Sequence, residues 1–340
     1  MTAFTPEEPA ALRDRLLAFS DSLQTAILEH RDAGPDQAHA RVVTRTAADT
    51  LYGIDAAVEP TVLEWFNHSW PADQPVELVM EGLEHLPEPA VFPNGTPIGD
   101  TRWKIILDPI DGTRSFMVDK RSAWILVGIA PQRFADNRLS DVVAAAMTEL
   151  PVRKQRLADQ LSALRGDGAA GIRGCRKNLD TRDAIEWLPA PSTEGDLRHG
   201  FGGLVKFFPE GRQRAVTVED HLLAAHLGTQ PAGASPLVFD DQYISTGGQF
   251  YEMLAGRDRF LADLRPLLAE PGHGLACHPY DCAAALILQE AGCLLEAPDG
   301  SPLDPPLDTT TPVAWAAYAN LALAQSLRPL LRRALREHGL

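Results

Sequence analysis

An apolar run that stops on two carboxylates constrains this chain more than any other segment. Trp103-Lys104-Ile105-Ile106-Leu107 reads as a buried strand, and Asp108-Pro109-Ile110-Asp111-Gly112-Thr113 follows at once. Two acids three residues apart therefore leave the end of a strand together, followed by a flexible glycine and a hydroxyl. Carboxylate oxygens are hard ligands suited to Mg²⁺, which commonly sits beside a substrate phosphate. Backbone N–H groups after a glycine turn suit an anion. The segment thus predicts a metal and phosphate site. Asp-Pro and Asp-Gly also occur in plain turns, so the reading needs carboxylates from elsewhere in the chain.

Three others stand at suggestive places. Glu81 follows Val76-Glu77-Leu78-Val79-Met80, a second predicted strand; if the two strands are neighbours, Glu81 and Asp108 emerge on one edge. Asp281 follows His278-Pro279-Tyr280 and opens a predicted helix running to Ala291, with Gly292 just past its end. A helix N-cap is the simplest role for such an Asp. Asp55 precedes the helically spaced Val58, Val62, Leu63 and Phe66. Exposure to solvent is the simplest reading of Glu81 and Asp55.

The charge balance sharpens the question. The net charge is −15, with 46 acidic against 31 basic residues. Non-specific nucleic-acid binding needs a basic surface, which such a chain does not supply. An acidic protein that handles phosphate esters needs cations, and bound divalent metals are the simplest source. No apolar run approaches the roughly 18 residues of a membrane span. Met1 to Glu8 lacks the basic start and apolar core of a signal peptide, so a cytoplasmic protein is expected. Cys175, Cys277, Cys282 and Cys293 form no C-x-x-C pair and read as buried thiols.

Leu12, Leu16, Phe19, Leu23 and Ile27 mark one face of an N-terminal helix. Residues 124–130 and 142–147 predict further strands, Pro87 to Asp100 a long loop, and 176–200 an irregular polar stretch. Val218 to Leu227 reads as a helix. Gln242 to Leu254 reads as a short strand passing through Thr246-Gly247-Gly248 into a helix, and 313–337 as a final helix or helix pair. Strands and helices mix throughout, so the class is α/β or α+β with layered sheets. A length of 340 residues allows two domains, with a boundary expected near Pro151: 1–150 carrying the first motif and 151–340 the rest.

The order of these residues resembles the inositol monophosphatase-like, lithium-sensitive, Mg²⁺-dependent phosphatases, a superfamily that includes fructose-1,6-bisphosphatases and 3′-phosphoadenosine 5′-phosphate phosphatases. The signature D-P-I-D-G-T-x-x-F is met from Asp108 to Phe116. A second, W-D-x-A-A-x-x-I-x-x-E-A-G-G, is nearly met from Tyr280 to Cys293. The weaker G-x-G-A element is similar to Gly166-Asp167-Gly168-Ala169, and the element around Asp55 and Glu59 has Tyr52 where the family has Thr. The likeness runs from about residue 10 to about 305.

The resemblance implies an αβαβα sandwich of the sugar-phosphatase type, a homodimer, and a phosphoric monoester hydrolase with two or three Mg²⁺ per site acting on a small-molecule phosphate. It assigns the first Mg²⁺ to Glu81, Asp108 and the Ile110 carbonyl, and the second to Asp108, Asp111 and Asp281. Glu81 would also touch a third through water. Thr113 with Asp55 would activate the attacking water, and Gly112 and Thr113 would cradle the phosphate. Three departures mark a divergent member: Met80-Glu81-Gly82 lacks the family's second Glu, which leaves Glu84 as a substitute ligand; Tyr280 replaces Trp; and Cys293 replaces Gly.

In this family the segment before the second signature sets the substrate. Here Asp263 is a candidate for sugar hydroxyls, and Arg265 or Lys206 for a second phosphate; solvated surface arginines are the plain alternative. The expected substrate is a polyol or sugar phosphate. Fructose-1,6-bisphosphate, 3′-phosphoadenosine 5′-phosphate or a non-catalytic phosphosugar-binding role are the alternatives.

Overall fold

The computed structural model describes residues 7–33, 42–45, 50–229, 235–269 and 275–340. The chain begins with the helix Glu7–Ala33, the hairpin β1 (Val42–Arg45) and β2 (Thr50–Tyr52), and the helix Gly53–Ser69. There follow β3 (Val76–Met80), β4 (Ala90–Phe92), β5 (Trp103–Asp111), β6 (Ala123–Pro131), β7 (Ala144–Leu150), β8 (Leu157–Leu164), β9 (Arg173–Asn178) and β10 (Ala184–Glu186). These eight form one sheet in the order β10-β9-β8-β7-β6-β5-β3-β4.

The second sheet comes from the later residues: β11 (Gly200–Leu204), β12 (Val238–Phe239), β13 (Asp258–Asp263), β14 (Leu294–Glu296) and β15 (Trp315–Tyr318), ordered β12-β11-β13-β15-β14. The helices Arg212–Leu227, Thr246–Leu254, Ala285–Glu290 and Leu321–Glu337 complete the layers.

Alternation along β5 explains the layering. Ile105 and Leu107 face the N-terminal helices, where Leu16, Phe19, Leu23, Val62 and Phe66 are buried. Ile106 faces the other way, onto a core shared with Phe250, Leu286 and Leu261. A sheet buried on both faces needs nearly continuous apolar strands, and β5 is buried along its whole length. The smaller sheet divides likewise: Leu261 and Ala317 point to the central core, while Phe260 and Ala262 pack with Val218, Leu222, Leu327 and Leu331 of the outer helices. The result is the expected αβαβα sandwich. No helix among the described residues is long and apolar enough to cross a membrane.

The structure departs from the sequence reading in several elements. The Pro87–Asp100 stretch contains β4, and the polar 176–200 stretch holds the end of β9 and all of β10, with every residue of β10 exposed. The helix expected from Asp281 is a 3-10 turn, Tyr280–Cys282, followed by the separate helix Ala285–Glu290. Residues 313–337 contain β15 before the last helix. The short strand expected from Gln242 does not form, and the helix Thr246–Leu254 starts from Ser245 as N-cap. The division expected near 150 falls between β7 and β8, which pair antiparallel.

Candidate active site

β3 and β5 are parallel neighbours, with Met80 opposite Leu107. Glu81 and Asp108 therefore leave adjacent strands at the same edge, and the Glu81 N–H still reaches the Leu107 carbonyl at 3.4 Å. The β5–β6 register breaks between Asp108 and Asp111, so the motif bulges out of the sheet while remaining attached to it. Asp108 Oδ1 accepts from the Ile110 N–H at 3.0 Å. Thr113 Oγ1 donates to the Ile110 carbonyl at 2.7 Å.

Gly112 makes the turn possible. Its φ is +98°, and a Cβ there would lie 2.9 Å from the Ser245 Cβ. Only glycine combines that backbone with so close an approach.

Asp281 arrives from the 3-10 turn, where its Oδ2 accepts from the His278 N–H at 2.6 Å. Oxygen atoms of Asp108, Asp111 and Asp281 all lie within 4.8 Å of one another. These three, with Glu81, Ile110, Gly112 and Thr113, line one cleft. Six residues separated by up to 200 positions are thus brought together around Asp108. Asp55 lies in the helix Gly53–Ser69, and its side chain is outside the described residues. Glu84 lies outside the cleft lining; it is exposed and accepts from the Gly82 N–H at 3.0 Å.

Burial and crowding set the electrostatics. Asp108 is 1% exposed, and its carboxyl is pushed well above the ordinary range by burial and then by the charges of Glu81, Asp111 and Asp281. Burial also raises Asp111, to about 6, against hydrogen bonds from Ser245, Gly247 and Thr246. Those bonds form a cradle that sequence reasoning missed: Ser245 Oγ at 2.7 Å, Thr246 N–H at 3.2 Å and the Gly247 N–H. The helix N-terminus adds its positive dipole end to this contact. The available signal was Ser245 as a helix N-cap, confirmed by its bond from the Gly248 N–H.

The two substrate candidates divide. Arg265 lines the cleft. Asp263 is fully buried behind it and absent from the lining, with both its oxygens taken by Arg265. Asp263 consequently positions Arg265 and has no path to a sugar hydroxyl. Burial would lower the Arg265 pKa, but the Asp263 charge and hydrogen bonds raise it. Phe207 and Phe208, also unforeseen, form the facing wall, with the Arg265 guanidinium 5.0 Å and 5.5 Å from their ring centres. Lys206 is directed away into pairs with Glu219 and Asp240.

The architecture and this edge of the sheet define a fold of the sugar-phosphatase type. Solved structures share it: extragenic suppressor protein SuhB from Bartonella henselae is 17% identical, with 96% of this chain and 99% of that one covered at a TM-score of 0.62. Leishmania major fructose-1,6-bisphosphatase is 14% identical, over 98% and 96% of the two chains, with a TM-score of 0.61. An inositol monophosphatase from Zymomonas mobilis is 14% identical over 97% and 99%, at 0.56. No protein-family model and no curated protein sequence matches the chain.

Proposed function

We propose that this protein is a Mg²⁺-dependent phosphomonoesterase that hydrolyses a small polyol or sugar phosphate. The observation that carries the reading is the convergence of Asp108, Asp111 and Asp281 within 4.8 Å in the lining of one cleft. The donor set fits the ion: carboxylate oxygens are hard ligands, Asp108 and Asp111 are buried, and the charges of Glu81, Asp111 and Asp281 all bear on Asp108. Glu81, Asp108 and the Ile110 carbonyl would hold one Mg²⁺, and Asp108, Asp111 and Asp281 a second, with a third, looser ion near Glu81. Bound there, Mg²⁺ supplies charge neutralisation for a dianionic ester and acidifies water.

The chain's own groups do the rest. Thr113, anchored on the Ile110 carbonyl, orients the attacking water, and Asp55 takes its proton. Gly112 and Thr113 face the phosphate from the turn. Water attacks phosphorus in line with the ester oxygen, the P–O bond breaks, and the alcohol and inorganic phosphate leave. No protein nucleophile is required.

One observation favours a second reading within the same chemistry. Arg265 brings a guanidinium to the cleft wall, which suits a substrate with a second anionic group, as in fructose-1,6-bisphosphate or 3′-phosphoadenosine 5′-phosphate. A non-catalytic phosphosugar-binding protein has no need for such a carboxylate cluster. Turnover across a panel of mono- and bisphosphate esters, with Mg²⁺ and after chelation, tests all three. Release of phosphate from a sugar ester only with Mg²⁺ is expected. Full activity after exhaustive chelation, or no hydrolysis of any ester, rejects the proposal.

A further inference from the structure

A second cavity, of about 500 Å³, shares no lining residue with the carboxylate cleft. Its wall gathers Lys120, Arg121, Arg176 and Arg257 from three parts of a chain whose net charge is −15. We propose that this cavity is a binding site for a small, multiply charged oxyanion, of the kind carried by phosphorylated or polycarboxylic metabolites. The site stands apart from the phosphatase reading and does not depend on it.

Each arginine is held by one carboxylate and laid on one ring. Arg176 donates through Nε and Nη2 to Asp159, both at 2.7 Å, with its guanidinium 5.5 Å from the Trp187 ring centre. Arg257 Nη1 donates to the two Glu252 oxygens at 2.9 and 3.0 Å, with its guanidinium 5.4 Å from the Tyr251 ring centre. Arg121 Nη2 donates to Asp241, and its guanidinium lies 4.7 Å from the Tyr243 ring centre. A guanidinium carries five N–H donors, so these pairs fix the arginines and leave donors over. Among the described residues no hydrogen-bond acceptor meets Arg176 Nη1, Nε or Nη2 of Arg257, Nε or Nη1 of Arg121, or the Lys120 ammonium.

The acceptors in the lining are largely occupied. Asp159 takes Arg176 and the Tyr251 hydroxyl. Glu149 takes the Ser122 hydroxyl at 2.7 Å, the Gln155 amide at 2.6 Å and the Asp159 N–H at 3.1 Å. Burial also pushes the Glu149 carboxyl up, which lessens its negative charge. The cavity therefore offers donors in excess of acceptors, and arginine donors match phosphate and carboxylate oxygens. Trp187 and Tyr251 stack at 5.4 Å, so the guanidiniums laid on them are neighbours, and the charge of Arg176 bears on Arg257. Like charges held that close repel, and a bound anion relieves the repulsion. An organic cation suits the cavity less, because Arg121 and Arg257 already lie on the Tyr243 and Tyr251 rings it would use. The volume falls within the roughly 300–1,000 Å³ of small-molecule sites.

The test is calorimetry on the full, metal-free chain at low ionic strength, with pyrophosphate and citrate as separate probes. Saturable one-to-one binding of at least one probe is expected. Pyrophosphate alone marks a phosphorylated ligand and citrate alone a polycarboxylic one. The double variant Arg121→Gln/Arg257→Gln leaves the carboxylate cleft intact and should bind roughly tenfold more weakly or worse, the worth of a charge-assisted hydrogen bond. Where the double variant misfolds, Lys120→Gln replaces it, with a smaller loss of affinity expected from an exposed ammonium. No binding of either probe at millimolar concentration overturns the proposal, as does equal affinity in the parent and the folded variant. A chain that binds a probe here yet hydrolyses no phosphate ester would reject the phosphatase reading and leave this site standing.

Discussion

Ser245 and Asp111 are 134 residues apart in sequence, yet the Ser245 hydroxyl donates to Asp111 Oδ2 at 2.7 Å and the same oxygen atom of the serine caps the helix Thr246–Leu254. One side chain thus fixes a carboxylate of the first motif to an element of the second sheet's neighbourhood. Ser245→Ala removes both contacts. Loss of the cap costs about 1 kcal/mol, and Mg²⁺ affinity should fall roughly 10–100-fold, the usual effect of deleting a ligand's supporting partner. Thermal melts and Mg²⁺ titrations check the two separately. Unchanged Mg²⁺ dependence would show that the backbone N–H groups of Thr246 and Gly247 suffice.

Metal-free protein should lose stability as pH rises. Burial lifts the Asp111 carboxyl from 3.8 to about 6, and Asp108 is raised further by burial and its acidic neighbours. In that window the folded chain holds protons that the unfolded chain has released, so folding is favoured most below the ordinary carboxylate value and weakens as pH climbs through the folded one. Mg²⁺ should restore the loss from these two. Asp258, raised to about 7 by burial and then by Glu252 and Asp241, adds a decline that Mg²⁺ does not reach. Melting temperature against pH, with and without Mg²⁺, should show both components, and Asp258→Asn should remove only the second. A metal-free curve that rises from pH 4 to 6 would contradict the assignment.

The parts of the site made by neighbouring strands were legible in the sequence. Apolar runs ending in acids put Glu81 and Asp108 on one edge if the two strands were neighbours, and the β3–β5 pairing meets that condition. The cradle of Asp111 was not legible, because periodicity reports an element's own faces and not which distant helix end will meet it. Asp263 and Arg265 were read as two ligands. Their spacing at the end of β13 allows one side chain to lock the other, and only packing decides between pair and independent groups. The turn at Tyr280–Cys282 was hidden by the alanine-rich stretch after it, whose helix propensity ran the prediction back through Asp281. β10 escaped because an edge strand in solvent needs no apolar alternation, and β9 beside it because its polar residues are at most half-buried.

The locked pair makes its own prediction. Arg265→Gln leaves Asp263 as a fully buried carboxylate without its cation, at a cost of about 3–5 kcal/mol. Asp263→Asn should cost less, since the guanidinium that remains lines a cleft shared with Asp108, Asp111 and Asp281. The double variant Asp263→Asn/Arg265→Gln should recover part of the Arg265→Gln loss. Urea melts of the three variants give the coupling. Additive losses would mean that the two groups do not act as a unit.

Asp281→Ser separates a ligand from a cap. In the structure Asp281 does not cap the helix Ala285–Glu290; Ala284 stands at that position without a side-chain bond. The local work of Asp281 is to accept from the His278 N–H, and a serine hydroxyl can still accept a backbone N–H. A structural role therefore predicts a small change in melting temperature and unchanged Mg²⁺ dependence. A ligand role predicts the same small thermal change with a different second result. The cluster loses one of the three carboxylates that converge within 4.8 Å, so the Mg²⁺ needed for half-maximal activity should rise by more than the roughly 10–100-fold expected for losing a supporting partner. Because Asp281 also raises the Asp108 carboxyl by its charge, the substitution should lower that repulsion and soften the pH-dependent loss of stability in the metal-free protein. Hydrolysis at parental rate in low millimolar Mg²⁺ would make Asp281 structural, and the second metal site would then rest on Asp108 and Asp111 alone.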